Sequence, residues 1–223
     1  IVIDPGHGGL DPGAMAGKFK ESELMLKFAF ELKEALMRID EFDVFLTRYE
    51  DRFLSLNDRV LIAQQKEADL FISLHADAIT KGIARGTTIY TLSKKGLAPE
   101  NERSYLKMGT DLAGVDDEIT SILFELATVD TLPRSEALAR VAIEELFLAL
   151  GSINAKPLRQ GDFSVLKTPN IPSILIEVGF MSTQSDLQNL TSPIWRRKFI
   201  NGLRSAIQRW ISEDKLDAIK RRH

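Results

Sequence analysis

The chain has 223 residues, 44% of them hydrophobic and 27% charged, a globular composition that can bury a substantial core as one domain or two. Its net charge is −3, from 29 basic and 32 acidic residues, and no apolar run is long enough to span a membrane. Neither a nucleic-acid partner nor membrane insertion is therefore expected. Cysteine is absent, which excludes disulfides, thiolate metal sites and a cysteine nucleophile, and leaves any metal to histidines and carboxylates. That absence fits an oxidising compartment, though many cytosolic proteins share it. No signal peptide is present, and the chain opens inside a strand, which predicts a mature piece with its upstream part removed.

Ile1-Val-Ile3 reads as a buried strand. Asp4, Pro5 and Gly6 break it, so His7 arrives at the carboxyl end of a strand on a glycine-flanked turn. Ligand sites collect at that end of open α/β sheets. Gly8 and Gly9 leave room beside the imidazole and permit backbone angles closed to other residues; taken alone, His7 also reads as an incidental turn residue. Residues Asp11 to Lys20 are polar. Leu24, Phe28, Leu32, Leu36 and Ile39 then recur at helical spacing and predict an amphipathic helix over Glu23 to Ile39. Glu21 falls at its N-terminus, where the helix dipole alone is reason enough for an acid.

A short strand is predicted over Asp43 to Thr47, and a helix over Ser55 to Lys66 with Leu56, Val60 and Ala63 inward. Asp69 to His75 is a continuous apolar strand ending in a second histidine. It repeats the arrangement at His7, and Asp77 is a candidate acceptor behind it. Gly86 to Leu92 is another strand, and about forty residues then precede a helix over Ser135 to Leu150, too many for a structureless loop. Within them Ile119, Ile122, Leu123 and Leu126 form a helical stripe. It predicts a helix over Asp116 to Ala127, with Glu118 and Glu125 along one edge, either packed on the domain or occupying a groove.

Phe163 to Lys167 alternates like a strand, and Ile171 to Phe180 supplies the last one. There Glu177 interrupts a buried run, which is costly unless the carboxylate is paired, protonated or beside a metal; alternation also permits a solvent-facing acid. Pro193 to Trp210 predicts a closing helix with Phe199, Leu203, Ile207 and Trp210 inward. The charged end Lys220 to His223 reads as solvated, and His223 takes no role.

Two histidines and a glutamate from separate strand and helix ends make a donor set suited to Zn²⁺. Three protein ligands leave a fourth position for water, whose pKa the ion lowers to about 7 while it polarises the carbonyl under attack. Glu177 can take the proton from that water and pass it to the departing amine. No serine nucleophile is needed.

IVIDPGHGGLDPGA, then Glu21, TRYEDRFLSLNDRVLIA, ADLFISLHADA and IPSILIEVGFMS occur in this order over nearly the whole chain. Together they resemble the zinc-dependent N-acetylmuramoyl-L-alanine amidases of the AmiA, AmiB and AmiC type, the Amidase_3 family. The resemblance implies one Zn²⁺ per chain held by His7, Glu21 and His75, with Glu177 as the catalytic glutamate. It implies a single α/β domain, a mixed, mostly parallel sheet of about six strands with helices on both faces. The substrate would be peptidoglycan, cut in the periplasm between N-acetylmuramic acid and the L-alanine of the stem peptide during daughter-cell separation. It further implies a catalytic domain over 1–215, a regulatory helical insertion at about 96–134 and a charged tail over 216–223. In such an insertion a helix covers the site until a LytM-domain activator displaces it; Glu118, or alternatively Glu125, would fill the open metal position. Asp77 and Gln64 stand where asparagine is common in the family, and neither belongs to the proposed ligand set. Two other readings are a zinc peptidase acting on another cell-wall peptide bond and a cell-wall binding module without turnover.

Overall fold

A computed structural model describes residues 1–79, 84–93, 117–168 and 170–220, and over 117–129 the backbone alone. Its main sheet contains β1 (Val2–Pro5), β4 (Phe45–Leu46), β5 (Phe71–His75), β6 (Thr88–Leu92), β7 (Leu158–Gly161) and β8 (Ser173–Glu177). The strand order is β4-β1-β5-β8-β6-β7. β4, β1, β5 and β8 are mutually parallel, whereas β6 runs antiparallel to β8 and carries β7 parallel to itself. A two-stranded hairpin of β2 (Met15–Ala16) and β3 (Phe19–Lys20) stands apart.

The described residues form five α-helices: α1 (Glu21–Leu36), α2 (Leu56–Gln65), α3 (Asp117–Leu150), α4 (Gln184–Thr191) and α5 (Pro193–Lys220). Because side chains alternate along a strand, each central strand feeds two cores. Ile3, Ile72, Leu74, Ile174 and Ile176 join Phe28 and Leu32 of α1, Leu138 and Leu146 of α3, and Phe199 and Leu203 of α5. Val2, Phe71 and Leu175 face the other way, onto Ala63 of α2 and onto Val165 and Leu166. Helices therefore cover both faces, as expected for an α/β domain with a mixed sheet. None of the described helices is long and apolar enough to cross a membrane.

Four local expectations change. Phe163 to Lys167 is not a strand: Ser164–Leu166 forms a 3-10 turn that drops Val165 and Leu166 into the second core, and the strand is the polar edge segment Leu158–Gly161. The two helices expected around 116–127 and 135–150 are one 34-residue helix that passes through Pro133. Proline removes one main-chain hydrogen bond there, but packing beyond it and the Arg134–Asp214 pair, at 3.0 and 2.8 Å, tie the helix to α5. α5 itself continues past Trp210 through the expected tail to Lys220. α1 begins at Glu21, two residues early, and stops at Leu36, with Met37 as its C-cap. α4 and the β2–β3 hairpin carried no periodic signal, the helix being short and polar and the strands two residues each.

Candidate metal centre

β1, β5 and β8 are parallel neighbours, so their carboxyl ends open together. The register sets Pro5 beside Leu74 and His75 beside Glu177. His7 therefore rises next to His75. Glu21 reaches the same place from a different element, as the first residue of α1, set there by the β2–β3 hairpin and by its own N–H bonded to Ala14 O at 2.9 Å.

His7 Nε2 and His75 Nδ1 lie 3.2 and 3.1 Å from Glu21 Oε1. One donor atom from each of the three residues lies within 4.8 Å of the others. The imidazoles meet edge to face with centroids 4.9 Å apart. The Ala76 N–H donates to Glu21 Oε1 and the Ala14 N–H to Oε2, both at 2.9 Å. The carboxylate is thereby fixed from two sides.

Asp11 Oδ2 stands 2.7 Å from His7 Nδ1. A carboxylate there assigns the ring proton to Nδ1 and turns the Nε2 lone pair toward Glu21. Nε2 and Glu21 Oε1 are then two acceptors in contact, an arrangement that needs a proton or a cation between them. The pKa shifts of the three groups point to the same demand for positive charge. Burial pulls the His7 pKa down, but the hydrogen bonds and charges of Glu21 and Asp11 prevail and raise it to about 9. His75 is also raised, against its burial, by Glu21 and Glu177. Burial pushes Glu21 up, yet the two imidazoles hold it well below the usual carboxylate range. Two imidazoles and a carboxylate at these separations fit Zn²⁺, whose bonds of about 2.0–2.1 Å place tetrahedral donors about 3.3 Å apart.

Glu177 is 7% exposed, which rules out the solvent-facing alternative. Burial raises its pKa to about 7, opposed by His75 and by the Asp77 N–H and assisted by the Glu21 and Asp77 carboxylates. That N–H donates to Glu177 Oε2 at 2.9 Å. Asp77 thus acts through its main chain, while its own carboxylate accepts from Ala78 N–H at 2.6 Å. The acceptor behind a ring nitrogen is Asp11, behind His7.

Sequence reading also missed what holds the His7 turn. His7 has φ 58°, a strained angle for a side-chain-bearing residue, at a cost of about 1–3 kcal/mol. Two buried arginines pin the carbonyls around it. Arg48 donates Nε to Pro5 O at 3.0 Å and Nη2 to Gly6 O at 2.9 Å and Ser22 O at 2.8 Å. Arg59 donates Nη1 to Pro5 O at 2.9 Å and Nη2 to His7 O at 2.8 Å. A Cβ on Gly6 would lie 2.4 Å from the His75 ring, so glycine is required there by close approach. His7, Glu21, His75 and Glu177 are thus brought together, whereas the side chains of Glu118 and Glu125, and His223, lie outside the described residues.

Comparison with known proteins identifies the family and the fold. The family model described as N-acetylmuramoyl-L-alanine amidase matches residues 1–209. The chain is 35% identical over 222 residues to N-acetylmuramoyl-L-alanine amidase AmiC of Neisseria meningitidis, covering 95% of this chain and 52% of that one. It is 30% identical over 233 residues to AmiA of Escherichia coli K12, covering 99% and 80%. The chain thus spans about half the length of the AmiC relative. A solved N-acetylmuramoyl-L-alanine amidase from Clostridium difficile superposes with TM-score 0.74 at 24% identity, covering 95% of each chain, and shares the fold. A family match over nearly the whole length, on a sheet that gathers two histidines and two glutamates at one end, places this chain in the N-acetylmuramoyl-L-alanine amidase family.

Proposed function

We propose that this chain hydrolyses the amide between the lactyl group of N-acetylmuramic acid and the L-alanine of the peptidoglycan stem peptide, using Zn²⁺ held by His7, Glu21 and His75. The observation that carries the reading is the convergence of those donors, within 4.8 Å of one another, beside Glu177 on the adjoining strand. When bound, the ion supplies Lewis acidity toward the carbonyl and lowers the pKa of a water to about 7.

The chain's own part is proton transfer and orientation. Glu177, buried at the strand end with its pKa raised by that burial, is placed to accept and release a proton. The Asp77 N–H holds Oε2, which leaves Oε1 to take a proton from the attacking water. The same proton goes to the departing L-alanine nitrogen as the C–N bond breaks, so one water is divided between acid and amine. Arg48 and Arg59 keep His7 in place without touching substrate. Family resemblance supports the wider reading of a periplasmic enzyme of daughter-cell separation, with a catalytic domain over 1–215 and a regulatory insertion at about 96–134. In that reading Glu118 or Glu125 closes the metal position until a LytM-domain activator withdraws it.

The test is a digest of purified sacculi by the zinc-loaded protein, read by mass spectrometry. Intact stem peptides with a free L-alanine amine are expected; cuts within the stem would indicate a peptidase instead. Glu177→Ala, with metal content retained, should lose roughly 10²- to 10⁴-fold in rate. Undiminished hydrolysis would refute the assignment of Glu177.

A further inference from the structure

The sheet continues past Glu177, and the face that bears Glu177 carries a second polar cluster. Thr88 of β6 pairs with Glu177, and two residues on, Tyr90 stands between Leu175 of β8 and Arg159 of β7. Residues two apart on a strand share a face, so Glu177, Tyr90 and Arg159 lie on the same side of the sheet. Tyr90 is half-buried and fixed against Phe163 by an edge-to-face contact, centroids 5.1 Å apart. Arg159 is exposed, and among the described residues its side chain makes one main-chain hydrogen bond, a long one from Nε to Lys156 O at 3.4 Å. Lys156 is exposed beside it. Among the described residues Arg159 forms no ion pair with a carboxylate. Burial raises the Tyr90 phenol, the Arg159 guanidinium opposes that rise, and Glu177 and Asp77 add to it, so the hydroxyl lies in the field of both ends of the cluster.

Resting on the amidase reading, the direction of the substrate follows from the order of the strands. The donors for the ion lie at β1, β5 and α1, on one side of Glu177, and β6 and β7 lie on the other. A carbonyl held at the metal with its nitrogen at Glu177 sends the stem peptide across β6 and β7. From Glu177 to Arg159 is two strand spacings across the sheet and two residues along it, about 12 Å in all, which roughly three residues of extended peptide and the reach of the Arg159 side chain span. We propose that Arg159, with the Tyr90 hydroxyl beside it, binds a carboxylate of the stem peptide two or three residues beyond the scissile amide, and so selects substrates in which that carboxylate is free rather than amidated.

The test uses muramyl tripeptides with the second- and third-residue carboxylates free or singly amidated, assayed on the whole zinc-loaded chain. Wild type should show a KM roughly tenfold or more lower for the free form at one of the two positions, the scale of a charge-assisted hydrogen bond. Arg159→Ala should raise that KM to the value for the amidated substrate with kcat little changed, Arg159→Lys should restore part of the difference, and Tyr90→Phe should lose a smaller part. Because Arg159 is exposed on an edge strand, its replacement leaves the core and the zinc content intact. The same preference is read without turnover, as binding of the paired tripeptides to zinc-loaded Glu177→Ala protein and to its Arg159→Ala derivative. Preference in the first and none in the second supports the assignment. Equal binding of free and amidated forms, or a preference that survives loss of Arg159, overturns it, and leaves the amidase reading to be judged by the cleavage products alone.

Discussion

Asp4 touches no substrate in this account, yet it anchors the turn that carries His7. Fully buried, it accepts from Thr47 Oγ1 at 2.6 Å, Ser73 Oγ at 2.8 Å and Arg59 Nη1 at 2.8 Å. Burial alone would raise its pKa, but the Arg59 charge and these hydrogen bonds hold it below the ordinary value. A carboxylate depressed in the folded state stabilises the fold above its unfolded pKa of about 3.9, and that contribution is lost as pH falls toward the folded value. Asp4→Asn should therefore cost about 3–5 kcal/mol at pH 7, the scale of breaking a buried pair. The gap to wild type should narrow below about pH 4. Urea unfolding of both proteins in chelator, from pH 7 to pH 3, checks this, and a gap independent of pH would contradict it. Residues of this kind were the least legible in the sequence. His7, His75 and Glu177 stand out because each ends an apolar strand beside small or buried neighbours. Arg48, Arg59 and Asp11 were not singled out, since a linear pattern does not show that a guanidinium is surrounded by carbonyls brought from elsewhere.

Helices and strands were legible in proportion to their burial on one face. α1, β5 and β8 carry apolar spacing that burial enforces; in α2 Val60 and Ala63 follow it, whereas Leu56, expected inward, is exposed at the helix start. β7 and α4 carry no such spacing, because an edge strand of Leu-Arg-Gln-Gly and an eight-residue polar helix pack too little surface to leave a pattern. The 3-10 turn at Ser164–Leu166 was misread because the five residues Phe163 to Lys167 fit either geometry, and only the depth of the second core decides between them. α3 was read as two helices from two separate apolar stripes; it runs on through Pro133, which ordinarily marks a boundary, because the packing of its second half against α5 overrides that tendency. The regulatory expectation belongs to this element. Replacing Glu118 and Glu125 together by Ala should raise basal hydrolysis of purified cell wall several-fold in the absence of any activator. Activity equal to wild type would remove these acids from the regulatory account.

At the scale of the whole molecule, the site is a consequence of sheet order. Three parallel neighbours deliver their carboxyl ends to one place, and beyond Glu177 the sheet continues through the antiparallel β6 to the exposed edge strand β7. The α/β class and the strands bearing the site could be read in advance. A mixed sheet was expected from the resemblance, but which strand reverses could not be read, because direction within a sheet depends on connections rather than on the pattern of any strand. The most direct test of the central claim is metal content together with an anomalous difference map, collected at the zinc edge on crystals of the zinc-loaded chain. One ion per chain is expected, its peak bounded by His7, Glu21 and His75, with the Glu177 carboxylate beside it but not among its ligands. A metal-replete crystal with its peak elsewhere, or with any of those three side chains turned away from it, would contradict the account.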